Sequence, residues 1–283
     1  MEIRKIAVIG AGQMGTGIAQ VAAAAGIQAL ISDVNLEWAQ KGIDKITKGL
    51  ARQVERGRMT EEAAREIAGR IKVAQSLDDA AAVDMVIEAI VENPQAKSEL
   101  WAKLSSICPP QVIFASNTSS ISITAMAKDC GRPERFIGMH FMNPVPVMQL
   151  VEVVRGLATC DEVCDITVEL AHKMGKTPVV VNDSAAFVVN RIAIPIINEA
   201  AYTLMEGVAD AEGIDTCAKL GLNHPMGPLA LGDLIGLDTV VSILEVMTAE
   251  TGDPKYRPCP LLRRMVAAGR LGRKTGQGFY TYS

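Results

Sequence analysis

The sequence predicts an α/β fold with a buried parallel sheet, followed by an all-helical region. Three features carry that reading. Short apolar runs without polar alternation, such as "KIAVIG" at 5–10, recur through the first part of the chain and are separated by helical stretches. A glycine-rich turn joins the first of these runs to the first helix, and beyond Asp183 only helical patterns remain. Strands covered on both faces read as continuous β-branched runs, and alternation of such strands with helices indicates a parallel sheet.

The elements follow in order. "KIAVIG" is a buried strand, and "MGTGIAQVAAAAG" is a helix that stops at Gly26. "IQALISD" is a second strand ending at Asp33, which completes a strand–helix–strand unit. From about Leu36 to Ile71 the chain is polar and helical, with a turn at "RGRMTEE" where Thr60 is placed to cap a second helix. "VDMVIEAI" and "QVIFASN" are further buried strands around the helical "NPQAKSELWAKLSSI". "RFIGMHFMN" and "MQLVEVV" are short strands, "TCDEVCDITVELAHKMG" is an amphipathic helix, and "TPVVVND" is one more strand. The helical remainder begins with "SAAFVVNRIAIPIINEAAYTLMEG", where Pro195 should kink the helix. It continues through "DAEGIDTCAKLG", "GPLALGDLIG", "LDTVVSILEVMTAETG" and "CPLLRRMVAAGRLG". The expected domains are 1–184 and 185–283.

Composition narrows the function. The chain of 283 residues is 49% hydrophobic and 21% charged, with a net charge of -4, so no overall field draws it to nucleic acid. No apolar run is long enough to cross a bilayer, and no signal peptide is expected. The six cysteines form no C-x-x-C pair, and Cys160 with Cys164 alone makes a poor metal site. Free thiols in a reducing cytoplasm, and no metal, are expected.

The glycine turn is the first chemical signal. Gly10, Gly12 and Gly15 form a G-x-G-x-x-G pattern between a strand and a helix, the setting a dinucleotide fingerprint requires. Gly10 permits the tight turn, Gly12 lets a pyrophosphate approach the backbone, and Gly15 lets the helix pack on the strand. Gly10, Ala11, Gly12, Gln13, Met14 and Gly15 therefore form the expected phosphate cradle at a helix N-terminus. Asp33 ends the second strand, 18 residues after Gly15, where a carboxylate accepts from a ribose hydroxyl and repels a 2′-phosphate. NAD is the expected cofactor, rather than NADP.

The second signal is a histidine with a carboxylate. His140 ends a strand before a proline-rich turn, and Glu152 lies on the following strand, within reach of the imidazole. A carboxylate on one ring nitrogen fixes the tautomer and leaves the other nitrogen free to take a proton, which suits oxidation of an alcohol. The same residues also fit a hydrogen-bonded structural histidine. His172, near a helix end, and His224, in a turn, read as structural. Asn117, Thr118, Ser119 and Ser120 end a strand, where ligands gather in such sheets, and Asn190 opens the helical region. An amide or hydroxyl at these places suits a substrate oxygen. Residues 41–60 carry Lys41, Lys45, Lys48, Arg52, Arg56 and Arg58 against Asp44 and Glu55. Lys48, Arg52 and Arg56, spaced by four, lie on one helix face and suit either solvent or a phosphate-bearing substrate.

The motifs "VIGAGQMGTGIAQ", "ASNTSSISIT", "GMHFMNPVPVMQLVEVV", "FVVNRI", "NHPMGPLALGDLIGLD" and "LGRKTGQGFYTYS" resemble the short-chain L-3-hydroxyacyl-CoA dehydrogenases over the whole chain, and most closely the bacterial 3-hydroxybutyryl-CoA dehydrogenases. The resemblance implies a Rossmann-type N-terminal domain, a helical C-terminal domain that forms a homodimer, and NAD-linked interconversion of 3-hydroxyacyl-CoA and 3-oxoacyl-CoA. It implies that His140 is the catalytic base and Glu152 its partner, with Ser119 and Asn190 on the substrate. Asp33, Glu92, Lys97 and Asn143 fall on positions lining the cofactor or the site, and Arg52 and Arg56 on positions near the coenzyme A phosphates. Two departures stand out. Ala185 and Ala186 precede Phe187 where the family carries Pro-Gly, so access to a positive φ should be lost, and Met142 replaces a phenylalanine, a softer packing change. Two other functions fit the residues: a non-catalytic dinucleotide-binding protein, and a dehydrogenase of a free 3-hydroxy acid, which would not need the basic face.

Overall fold

A computed structural model describes residues 1–282. They form two compact units, which divide after Ser184.

The first unit is built on one eight-stranded sheet in the order β3-β2-β1-β4-β5-β6-β7-β8. β1 (Lys5–Ile9) leads through α1 (Gln13–Ala24) to β2 (Gln28–Ser32). α2 (Leu36–Glu55) and α3 (Glu61–Gly69) then form a helical hairpin before β3 (Ile71–Val73). β4 (Met85–Glu88), α4 (Pro94–Ile107), β5 (Ile113–Ser116), the short α5 (Ile123–Ala127) and β6 (Phe136–Phe141) follow. β7 (Leu150–Arg155), α6 (Asp161–Lys173) and β8 (Thr177–Asn182) complete the unit. Strands β1 to β6 are mutually parallel, β7 runs antiparallel to β6, and β8 is parallel to β7. The order 3-2-1-4-5-6 is that of a doubly wound dinucleotide fold, so the expected Rossmann-type architecture is present. Ile6, Val8, Ile31, Ile87 and Ile113 are sealed in its core, together with Ile18 from α1. The C-terminal ends of the six parallel strands share one edge of the sheet.

The second unit is helical, with α7 (Val189–Met205), α8 (Ala211–Gly221), α9 (Pro228–Ile235), α10 (Leu237–Thr251) and α11 (Pro260–Ala267). Ile194, Ile197, Val240, Leu244 and Leu262 form its core. Two buried aspartates tie the elements together. Asp215 of α8 accepts from the backbone N–H groups of Leu229 and Ala230, so it caps α9 from outside that helix. It also accepts from the Tyr280 hydroxyl, and burial, reinforced by this carboxylate, pushes the Tyr280 phenol well above its usual range. Asp233 of α9 accepts from the N–H groups of Phe279 and Tyr280 and from the Tyr282 hydroxyl.

The structure corrects the sequence reading in four places. Ile71 does not end a helix but opens β3, since three residues add to the edge of the sheet beside β2. The helix α5 was not expected; Ser122 caps it by accepting from Ala125 N. The helix at 184–207 begins only at Val189. Its delay has a cause: Ala186 and Phe187 sit at φ 62° and 53°, so the left-handed conformation survives although alanine replaces glycine. Ala186 is sealed and Phe187 nearly so, and their burial holds a backbone that costs about 1–2 kcal/mol per residue. Last, α2 ends at Glu55, so Arg56 is its C-cap rather than an interior position.

The Asp233 cluster yields a stability prediction. Asp233→Ala strands three donors at once and should destabilise the protein by about 3 kcal/mol in urea unfolding. A loss below about 1 kcal/mol would show that the C-terminal segment is held by other means.

Candidate active site

The glycine turn sits at the end of β1, next to the point where the strand order reverses. Gly10 has φ 107°, and a Cβ there would lie 2.4 Å from the Ala89 carbonyl oxygen on the neighbouring β4 loop. A Cβ on Gly15 would lie 1.8 Å from the Gly10 oxygen, so the helix meets the turn with no room for a side chain. Gly12 differs: a Cβ there would meet nothing within 4 Å. Its lack of a side chain leaves space open rather than resolving a clash within the chain. Gly12 is also the N-cap of α1, gives no side-chain cap, and is followed by no acidic residue in the first turn. The helix thus presents backbone N–H groups and the positive end of its dipole. Asp33 Oδ2 accepts from Ala11 N at 2.6 Å, and Oδ1 from Val34 N at 2.7 Å. The carboxylate therefore braces the turn as well as marking the end of β2.

An ionic network that is sealed at Glu88 and Lys97 and opens to solvent at Glu92 occupies the ends of β4 and β5. Glu88 and Lys97 are 0% and 1% exposed, and Lys97 Nζ lies 2.6 Å from Glu88 Oε1 and 3.1 Å from Glu92 Oε2. Ser116 donates to the second Glu88 oxygen at 2.6 Å. Glu92 in turn accepts from the Thr118 hydroxyl at 2.5 Å and from Ser119 N at 3.0 Å. Burial works to raise the Glu92 carboxyl, but the Lys97 ammonium and these hydrogen bonds outweigh it and hold it below the usual range. The stability it contributes is therefore present above the unfolded-chain value and is lost as the pH falls through the lower folded one. Glu88 and Ser116 were not among the sequence candidates; the signal was a glutamate inside the apolar run "MVIEAI".

His140 and Glu152 face each other directly across the β6–β7 ladder. Their separation is 2.7 Å, Nδ1 to Oε2, and the residues are 7% and 1% exposed. An ionised carboxylate can only accept, so the ring proton lies on Nδ1 and the lone pair on Nε2. Nearby, Asn117 Oδ1 accepts from Phe141 N, which pins the end of β5 to the residue after His140. Gln13 of α1 donates to Asn143 Oδ1 at 2.9 Å and so connects the glycine helix to the loop after β6. Lys176, also absent from the sequence candidates, donates to the carbonyls of Val145 and Met148 and fastens that same loop. Burial pushes its ammonium below the usual range.

The other candidates lie elsewhere. Asn190 is the second residue of α7, in the second unit. Lys48 and Arg52 are exposed on α2, and neither they nor Arg56 make an ion pair among the described residues. Met14 is half-buried in the first turn of α1. His172 lies in the last turn of α6 and His224 in the loop before α9. No cluster of metal-ligating residues occurs among the described residues, and no described helix is long and apolar enough to cross a membrane.

Residues 5–184 match the NAD binding domain of 3-hydroxyacyl-CoA dehydrogenases, and residues 187–282 match their C-terminal domain. The chain belongs to the 3-hydroxyacyl-CoA dehydrogenase family. It is 57% identical over 282 residues to a probable 3-hydroxybutyryl-CoA dehydrogenase of Bacillus subtilis, covering 100% of this chain and 98% of that one. Identity to the 3-hydroxybutyryl-CoA dehydrogenase of Bradyrhizobium diazoefficiens is 52%, over 99% and 96% of the two chains. The crystal structure of (S)-3-hydroxybutyryl-CoA dehydrogenase from Ralstonia eutropha superposes with a TM-score of 0.97 at 49% identity, with both chains covered completely.

As a member of this family, the dehydrogenase uses NAD, and its own geometry fits that cofactor. Gly12 keeps space open at a helix N-terminus, and Asp33 ends β2 beside that turn, with its carboxylate on the Ala11 N–H. This makes Gly12→Ala a selective probe. The extra methyl meets nothing in the protein, so the unfolding free energy should change by less than about 1 kcal/mol. NADH binding, followed by fluorescence titration, should weaken about tenfold or more, because the methyl takes the space of the pyrophosphate. Unaltered NADH affinity would contradict this assignment.

Proposed function

We propose that the dehydrogenase interconverts (S)-3-hydroxybutyryl-CoA and acetoacetyl-CoA, with His140 as the general base. The observation that carries the reading is the buried Nδ1–carboxylate bond between His140 and Glu152. NAD, when bound at the glycine turn, supplies the hydride acceptor in oxidation and, reduced, the donor in reverse. The chain's residues handle the proton. His140 Nε2 takes it from the 3-hydroxyl group, and Glu152 stabilises the imidazolium that results. In the reverse direction the imidazolium returns the proton to the forming alkoxide. Ser119 and Asn190 are assigned to the substrate oxygen, where a donor offsets developing negative charge. Glu92 supports this by fixing the Ser119 backbone. Gly10 to Gly15, Asp33, Glu92, Lys97, Asn117 and Asn143 are assigned to the cofactor side.

Lys48, Arg52 and Arg56 are assigned to the coenzyme A phosphates. Support comes from their exposure without an acidic partner among the described residues, whereas Lys41 on the same helix is paired with Glu37 at 2.6 Å. A homodimer through the helical unit fits the exposed apolar side chains of Ile192, Val208, Leu220 and Leu222. A reducing cytoplasm fits six free cysteines.

Turnover of acetoacetyl-CoA with NADH, read as loss of reduced nicotinamide absorbance, tests the activity. His140→Ala and Glu152→Gln should each lower kcat by about 10²–10⁴-fold while NADH still binds. Near-normal turnover of either variant would remove the assigned base or its partner. Arg52→Glu with Arg56→Glu should raise KM for acetoacetyl-CoA about tenfold, and more at low ionic strength. An equal KM would free the stripe from the substrate.

A further inference from the structure

Two lysines are buried in the first unit, and they are compensated differently. Lys97 lies between the carboxylates of Glu88 and Glu92. Lys176 is 8% exposed, and its ammonium donates to the carbonyls of Val145 at 2.5 Å and Met148 at 2.9 Å, with no carboxylate paired to it among the described residues. A cation held only by neutral dipoles is costly to bury, and a methionine would fill similar space without that cost. What the ammonium adds is placement of the two carbonyls.

The fold aims it. α6 ends with Gly175 at φ 71°, where the N–H of Gly175 reaches the His172 carbonyl and that of Lys176 reaches the Ala171 carbonyl, both at 2.9 Å. This doubly bonded helix end fixes the Lys176 backbone just before β8 begins. The N–H of Thr177 then closes on the Gln149 carbonyl at 2.8 Å. The lysine side chain is thereby delivered to residues 142–149, the loop that leaves β6 two positions after His140.

That loop meets α1 at two places one helical turn apart. Gln13 donates to Asn143 Oδ1, and four residues on, the bare Gly17 admits Val145, whose Cβ would stand 2.8 Å from a Cβ at 17. Within the loop, the N–H groups of Val147 and Met148 both reach the Pro144 carbonyl at 3.0 Å. Asn143 thus stands on a short bonded turn that is held by α1 and by the Lys176 ammonium.

We propose that Lys176 is a positioning residue for the dinucleotide, setting the 142–149 loop so that Asn143 stands ready beside the glycine helix. The proposal rests on the assignment of Asn143 to the cofactor side. A contact residue that is already in place binds its ligand with less ordering cost, so the gain lies in dinucleotide affinity.

The test removes the cation. Lys176→Met and Lys176→Gln, the second keeping a shorter polar group, are compared with the parent protein, and circular dichroism establishes that each is folded. Kd for NADH from fluorescence titration, and KM for NADH in acetoacetyl-CoA reduction, should rise about tenfold, while kcat at saturating NADH changes by less than about threefold. In an Asn143→Ala background, Lys176→Met should raise Kd by less than about threefold, because the residue it positions is gone. Parent-like NADH affinity in a folded variant overturns the proposal and leaves Lys176 a structural clamp. A fall in kcat with unmoved affinity also overturns it, since the clamp would then serve His140, and so does a full tenfold loss that persists in the Asn143→Ala background. If Asn143→Ala itself binds NADH as tightly as the parent protein, the assignment of Asn143 fails and the route through it fails with that reading. Parent-like affinity in the lysine variants alone leaves that assignment standing.

Discussion

The pairing of His140 with Glu152 across two antiparallel strands is the constraint on which the rest depends. Side chains on a strand alternate between faces, so a slip of one residue would carry Glu152 to the opposite side of the sheet. The neighbours prevent that slip. Val151 and Val153 are fully buried on the other face, opposite Phe141 and Met139. On the histidine's own face Gly138 stands opposite Val154, and a Cβ at 138 would lie 2.7 Å from the Val154 Cβ. Packing thus fixes the register, and the register delivers the carboxylate to the imidazole. A carboxylate only 1% exposed is costly to bury without a partner, so the fold itself favours the arrangement that the proposed proton transfer uses.

The same economy governs the adjacent strand ends. Glu88, Lys97 and Glu92 form a chain of charges that runs from the sealed end of β4 to the serine-rich loop after β5. Glu88 and Lys97 are the sealed members, and removing one of such a buried pair typically costs about 3–5 kcal/mol, because the other loses its compensation. The loop carrying Ser119 is therefore held by the Glu92 carboxylate, which accepts from Thr118 and from Ser119 N. On the other flank, Gln13 ties the glycine helix to Asn143 in the loop between β6 and β7, and Lys176 fastens that loop to the start of β8. Glycine turn, polar loop and histidine thereby lie along one edge of the sheet.

Much of this was legible in the sequence, and the gaps have physical causes. β1, β2, β4, β5 and β6 announced themselves as continuous apolar runs, because a parallel sheet covered on both faces demands them. β3 has three residues and a lysine at its centre, too little pattern to separate from the helix before it. The glycine turn, Asp33, His140 and Glu152 were visible because each residue type is expensive or unusual at its position. The roles of Glu88 and Ser116 were hidden because their partners are nine and 28 residues from Glu88, joined only by the fold. Ala186 shows the limit of residue rules: alanine argues against a positive φ, yet burial of Ala186 and Phe187 imposes it.

The most direct measurement is the ring tautomer of His140. The chain has only three histidines, so ¹⁵N NMR of the labelled imidazoles, assigned by substituting His172 and His224, can resolve it. The account predicts a neutral His140 with its hydrogen on Nδ1, directed at Glu152, and a basic Nε2. A neutral ring carrying its hydrogen on Nε2 would contradict it, because the nitrogen assigned to the substrate would then have no lone pair to receive a proton.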